Sequence, residues 1–186
     1  ASFIAAFGRH SGSPLHAMAN LREHRRVRPR PRRRSIASQS ALGRGRHSRR
    51  KIERTLDRLV DRVTRRLRGA SRAGRTVVLS LRFADYSRST RSRTLPRATY
   101  ATDPIRAAAQ ALLAEARPLI VERGITLVGV TITNLDDASA GIQLELPLYG
   151  SPTTELDTAI DELRERFGTG SVIRGTGPGV RRGFFD

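Results

Sequence analysis

The chain has 186 residues, no cysteine and a formal charge of +18. That length supports one domain with a real core and leaves room for flanking pieces. The missing cysteines exclude a disulfide framework and thiolate metal sites, which fits a cytoplasmic protein. No apolar run reaches the ~18 residues of a membrane span. The charge is uneven: residues 22–97 carry 26 basic and 5 acidic side chains, and the rest carry 9 and 12. A surplus confined to one stretch is the electrostatic footprint of a polyanion-binding surface. Lys51 is the sole lysine among 35 basic residues, and arginine favours forked contacts with phosphate.

The N-terminus reads Ala1-Ser2-Phe3, without an initiator methionine or a signal-peptide pattern, and is expected to continue a longer protein. Residues 1–23 read as two short helical pieces broken at Gly8 and at Gly12–Pro14. Residues 24–34 hold seven arginines with Pro29 and Pro31, an extended basic linker. A strand over 34–42 follows. A helix then starts at Ser48 as N-cap and stops at Gly69. Ile52, Leu56, Leu59, Val60, Val63 and Leu67 form its apolar stripe, and its arginine-rich back reads as the solvated face of a packed helix.

Residues 75–85 alternate, with Val77, Leu79, Leu81 and Phe83 on one side and Thr76, Val78, Ser80, Arg82 and Ala84 on the other. A turn at Asp85–Ser89 leads to a strand over 89–97. Its Arg91 and Arg93 stand among Thr90, Ser92 and Thr94. Arginines and small hydroxyls alternating on a strand suit a phosphate backbone, because guanidinium groups fork onto its oxygens and hydroxyls fill the gaps. Asp103-Pro104 reads as a helix start, with Asp103 as cap. Ile105, Ala109, Leu112, Leu113 and Ala116 line that helix, and Pro118 should kink or end it before Gly124. A β-branched strand spans 125–134. A last helix runs from about 154 to 167, with Leu156, Ile160, Leu163 and Phe167 in line. Residues 175–186 read as a flexible tail.

The order strand, helix, strand, strand, helix, strand predicts an α+β fold. It is a split β-α-β arrangement, a four-stranded sheet with two helices on one face, plus the C-terminal helix. Asp136-Asp137 follow a strand end, and His10, His16, His24 and His47 are scattered, so no metal site or catalytic constellation is expected.

Arg33-Arg34-Ser35-Ile36-Ala37-Ser38-Gln39 resembles the first strand of the little-finger domain of Y-family translesion DNA polymerases, close to the bacterial DNA polymerase IV type. The family usually has glycine at the place of Ala37. Phe83-Ala84-Asp85-Tyr86 with Thr90-Arg91-Ser92-Arg93-Thr94-Leu95 is similar to the family's central hairpin. Leu127 to Val130 with Asn134-Leu135 looks like its last strand, and Leu156 to Gly168 is similar to the helix that follows. Residues 1–23 look like the end of the thumb. The resemblance implies a little finger at 35–140, a clamp-binding-like loop at 141–152, and a helix with a short strand at 153–174. It also implies that Arg32, Arg33, Arg34, Ser35, Arg82, Arg88, Thr90, Arg91, Arg93 and Thr94 lie near the backbones of primer-template DNA.

The family's catalytic palm carboxylates, which hold magnesium, have no counterpart in this chain. It is therefore expected to bind DNA without cofactor or catalysis, as a monomer. Gln143-Leu144-Glu145-Leu146-Pro147-Leu148 resembles the hexapeptide by which bacterial polymerases dock on the β sliding clamp. Gln143, Leu144, Leu146, Pro147 and Leu148 are the anchors this implies, with a short edge strand as the plainer alternative. Two further readings are an arginine-rich RNA-binding or ribosome-associated protein and a polymerase-like adaptor that never catalysed.

Overall fold

A computed structural model describes residues 3–22, 26, 33–138, 153–172 and 174. The chain divides into two compact units, 1–32 and 33–186. The first holds α1, Phe3–Ala19, whose backbone kinks at Gly8 (φ 72°). The break comes there alone: Pro14 sits inside the helix, against the two-break expectation.

The second unit contains β1 (Ser35–Ala41), α2 (Arg49–Gly69), β2 (Arg72–Phe83), β3 (Arg88–Thr99), α3 (Thr102–Glu115), α4 (Arg117–Arg123), β4 (Ile125–Asp137) and α5 (Thr153–Phe167). One antiparallel sheet has the order β1-β4-β2-β3. β4 is thus inserted between β1 and β2, the split β-α-β topology. α2 packs over β1 and β4, and α3 packs over β2 and β3. Both helices lie on one face, and the expected α+β architecture is what the chain adopts.

The core forms where the helical and strand periodicities meet. The α2 stripe, Ile52 to Leu67, is buried entirely. So are Val77, Leu79, Leu81 and Phe83 of β2 and Val128, Val130 and Ile132 of β4. Each fully buried side chain of this size contributes ~1.5–3 kcal/mol. Ser48 caps α2 as expected, its Oγ accepting from Lys51 N–H at 3.3 Å.

Several boundaries move. β2 begins three residues before the expected 75, because β4 runs on to Asp137 and offers Arg72 a partner. Ala116 separates α3 from α4, and Pro118 lies in the first turn of α4, where its missing N–H costs nothing. α3 starts at Thr102 rather than at Asp103-Pro104, and its N-cap, Ala101, has no capping side chain. The cap comes from α5. Asp157 accepts from Thr102 N–H at 2.8 Å and from Thr102 Oγ1 at 2.7 Å.

α5 departs most from its sequence pattern. Asp157, Ile160 and Arg164 are buried, while Leu156, Leu163 and Phe167 are exposed. The helix lies on its polar side because the charged partners are there. Arg68 meets Asp157 at 3.3 Å and Asp161 at 2.6 Å, and Arg164 meets Asp61 at 2.8 Å. Paired and hydrogen-bonded charges can be buried where lone ones cannot.

Candidate nucleic-acid interface

Among the described residues of this unit, no helix packs on the sheet's second face. Residues paired directly across an antiparallel sheet project to the same side, so the register maps this face row by row. The first row is Ser35, Thr133, Thr76 and Thr94, and the second is Ala37, Thr131, Val78 and Ser92. The third is Gln39, Gly129, Ser80 and Thr90, and the fourth is Ala41, Leu127, Arg82 and Arg88. Strand and residue spacings make the surface roughly 14 Å wide and 20 Å long. None of the sixteen residues in these rows is acidic. Most of its side chains are small, many of them hydroxyls, and both arginines lie in the fourth row.

Local contacts fix this surface. Thr76 Oγ1 and Thr94 Oγ1 are 3.1 Å apart, and Asn134 Nδ2 donates to Thr76 Oγ1 at 2.9 Å. Arg82 Nε donates to Thr126 Oγ1 at 3.4 Å. Neither Arg82 nor Arg88 has an acidic partner among the described residues. A Cβ on Gly129 would stand 3.3 Å from Gln39 Cβ, so glycine keeps the third row low.

The same register sends two predicted residues elsewhere. Arg91 pairs with Leu79 and Arg93 with Val77, so both project to the helix-covered side. Arg93 meets Glu115 of α3 at 2.6 Å, with both side chains about half exposed. Arg91 is half-buried, and its Nε is enclosed without an acceptor. β3 is an edge strand, so long side chains on its inner side can pass round the rim of the core. The structure therefore brings Ser35, Arg82, Arg88, Thr90 and Thr94 to one surface and keeps Arg91 and Arg93 apart from them.

Arg33 and Arg34 precede β1 and are exposed. Arg33 lines a shallow groove with Ser35, Ile36, Ala37, Arg66, Gly69 and Ala70. Arg66 Nη1 donates to Ala37 O at 3.0 Å, placing a helical arginine beside the sheet edge. The sequence pattern puts Arg66 on a solvated helix back, and nothing local marks it as a neighbour of β1. Arg32 and the hexapeptide anchors Gln143, Leu144, Leu146, Pro147 and Leu148 lie outside the described residues.

The hairpin tip is built by Asp85. Its Oδ1 accepts from Ser87 N–H at 2.9 Å and from Ser87 Oγ at 2.6 Å. The Ser87 side-chain hydrogen bond, then the Ser87 backbone one, with help from the Arg123 charge, hold the Asp85 carboxyl below its ordinary range. Among the described residues no group of three or more His, Asp or Glu could hold a metal. Asp137 instead meets Arg72 at 3.7 Å.

Comparison with known proteins places this arrangement. Residues 33–146 match the model of the impB/mucB/samB family C-terminal domain. DNA polymerase IV 2 of Mesorhizobium japonicum is 38% identical over 182 residues, covering 89% of this chain and 43% of that protein. DNA polymerase IV of Desulfatibacillum aliphaticivorans is 31% identical over 173 residues, covering 90% and 42%. DNA polymerase IV of Caulobacter vibrioides is 31% identical over 165 residues, covering 88% and 40%. The chain thus spans about two fifths of the length of these curated relatives. The chain belongs to the impB/mucB/samB C-terminal family, and its sheet and two covering helices form the little-finger domain of a Y-family protein of the DNA polymerase IV type.

Proposed function

We propose that this chain is the DNA-holding module of an error-prone translesion polymerase, acting in the cytoplasm as a monomer. The observation that carries the reading is the acid-free open face, with Arg82 and Arg88 in one row and hydroxyls in the others. A surface roughly 14 Å wide bridges a major groove of about 12 Å, from one phosphate backbone to the other. Small hydroxyls let the backbones approach closely, and the arginines supply charge. Such contacts position DNA without reading sequence, as a polymerase meeting varied lesions needs. Ser35, Thr90 and Thr94 contribute from the face, Arg32, Arg33 and Arg34 from its border, and Arg91 and Arg93 from the rim of β3. α1 is the end of the thumb.

Nucleotide transfer belongs to the longer protein. The described residues offer no carboxylate cluster for magnesium, so no catalytic step is assigned to them. Residues 143–148 dock the polymerase on the sliding clamp, a reading supported by their sequence alone.

The test compares two double variants in duplex-binding titrations from 50 to 200 mM salt. If about six phosphates are contacted, the wild-type chain loses roughly a thousandfold in affinity over that range. Arg82→Ala with Arg88→Ala should weaken binding and reduce the log–log salt slope by about 1.8. Arg91→Ala with Arg93→Ala should reduce it less, since Arg93 already meets Glu115. An unchanged slope in the first variant would remove the open face from the interface.

A further inference from the structure

The little finger's arginines and hydroxyls account for backbone contacts, yet one side chain at the DNA-facing end does not fit that chemistry. Tyr86 occupies the tip of the β2–β3 hairpin and is 65% exposed. Its φ is +65°, in the left-handed region. A bulky aromatic residue there is strained, and glycine would take the same conformation without cost. The turn is already secured without the ring, through Asp85 with Ser87, through Phe83 N–H donating to Ser87 O at 2.9 Å, and through Tyr86 N–H donating to Phe83 O at 3.1 Å. None of these turn bonds uses the ring, whose own contacts lie outside the hairpin.

The ring is also held in place from outside the hairpin. Arg44, between Gly43 and Gly45 in the loop after β1, donates from Nη2 to Tyr86 Oη. Its guanidinium carbon stands 6.0 Å from the ring centroid. β1 and β3 are the opposite edge strands, but β1 ends and β3 begins at the same end of the sheet, where Arg82 and Arg88 stand in the last row of the open face. An exposed aromatic ring held by Arg44 thus stands at the hairpin tip, beyond the row that carries Arg82 and Arg88.

Resting on the reading of the open face as a DNA grip, we propose that Tyr86 is a stacking platform for an unpaired base of the bound DNA, with Arg44 orienting the ring. In a duplex the base faces are taken by neighbouring bases and the grooves expose only edges. An exposed ring therefore finds a free base face only at a duplex end or where the strand is unpaired, as on the single-stranded template beyond a primer end. Stacking of this kind tolerates any base.

The experiment titrates the chain with two DNAs of equal duplex length, one blunt and one with a 5′ template overhang. 2-Aminopurine is placed at successive overhang positions. The wild-type chain should bind the overhang DNA about tenfold more tightly than the blunt one, with an emission change at one or two positions. Tyr86→Gly should lose both the increment and the emission change while keeping blunt-duplex affinity and thermal midpoint. Tyr86→Phe, which loses the hydrogen bond from Arg44 but retains the ring, should keep most of the increment. Equal wild-type affinity for the two DNAs would overturn the proposal and leave the duplex grip intact. So would an increment that survives Tyr86→Gly, or a midpoint several degrees lower in that variant, which would make the ring structural. Failure to bind even the blunt duplex would overturn the grip and this proposal together.

Discussion

Asp85 shows how one carboxylate shapes the hairpin beside the open face. It takes both the N–H and the hydroxyl of Ser87, which fixes the tip chemically rather than by burial. These bonds favour the charged form, so its folded pKa lies below the unfolded value. The sign follows from linkage. The contribution to stability is fully present above the unfolded carboxyl range, about pH 4, and is lost as pH falls through the lower folded value. An NMR titration should show the Asp85 carboxyl responding at lower pH than an ordinary aspartate. Ser87→Ala should return it toward the ordinary range, and no movement would mean that the Ser87 hydroxyl bond does not form in solution. The turn was legible in the sequence at Asp85–Ser89, without the bonds that close it. The raised exposure and positive φ of Tyr86 were not, because they depend on how the four-residue tip closes.

At the scale of elements, α5 is fastened by charge. Asp157 caps α3 and meets Arg68 and Arg174, and Arg174 also meets Asp103 at 3.0 Å. Thr64 Oγ1 lies 3.1 Å from Thr102 Oγ1 and extends the network into α2. Removing one member of such a buried set leaves its partners uncompensated. Asp157→Ala should lower the stability of the chain by about 3–5 kcal/mol in urea unfolding, against about 1 kcal/mol for an ordinary lost cap. Asp157→Asn keeps an acceptor for Thr102 N–H and should fall between. A loss below about 1 kcal/mol in the alanine variant would show that α5 is not held through this residue. The helix itself was evident from its period. Its orientation was not, since Leu156, Leu163 and Phe167 make the more apolar side and yet are exposed.

For the whole molecule, charge is sorted between layers. Acidic residues of the helices, Asp57, Asp61, Asp103, Asp157 and Asp161, engage arginines there, while the open sheet face carries arginine without acid. The surplus seen in residues 22–97 therefore becomes a surface property only after folding. The proposed clamp-docking segment follows β4 in the chain. Gln143→Ala with Leu146→Ala should abolish binding to a purified bacterial sliding clamp and leave duplex affinity unchanged. Loss of both activities would make the segment part of the folded core. Retention of both would remove it as a docking peptide.

By itself the sequence determined the elements, their order and the identity of the core, because helical and strand periods are local and each apolar stripe needs a cover. Val77 to Phe83 and Ile52 to Leu67 were readable in this way, as was the concentration of arginine. Only the tertiary structure decided which arginines share a surface. Along β3 the period of two sets Arg88 apart from Arg91 and Arg93, but with similar hydroxyl neighbours no local signal says which set faces the open side. Pairing with β2 does: Arg88 stands opposite Arg82, whereas Arg91 and Arg93 stand opposite Leu79 and Val77. A strand's side-chain period is two, so a register shift of one residue would exchange the two sets. The register is fixed by the whole β1-β4-β2-β3 sheet and the helices that cover one side of it, and the chemistry of the open face follows from that choice.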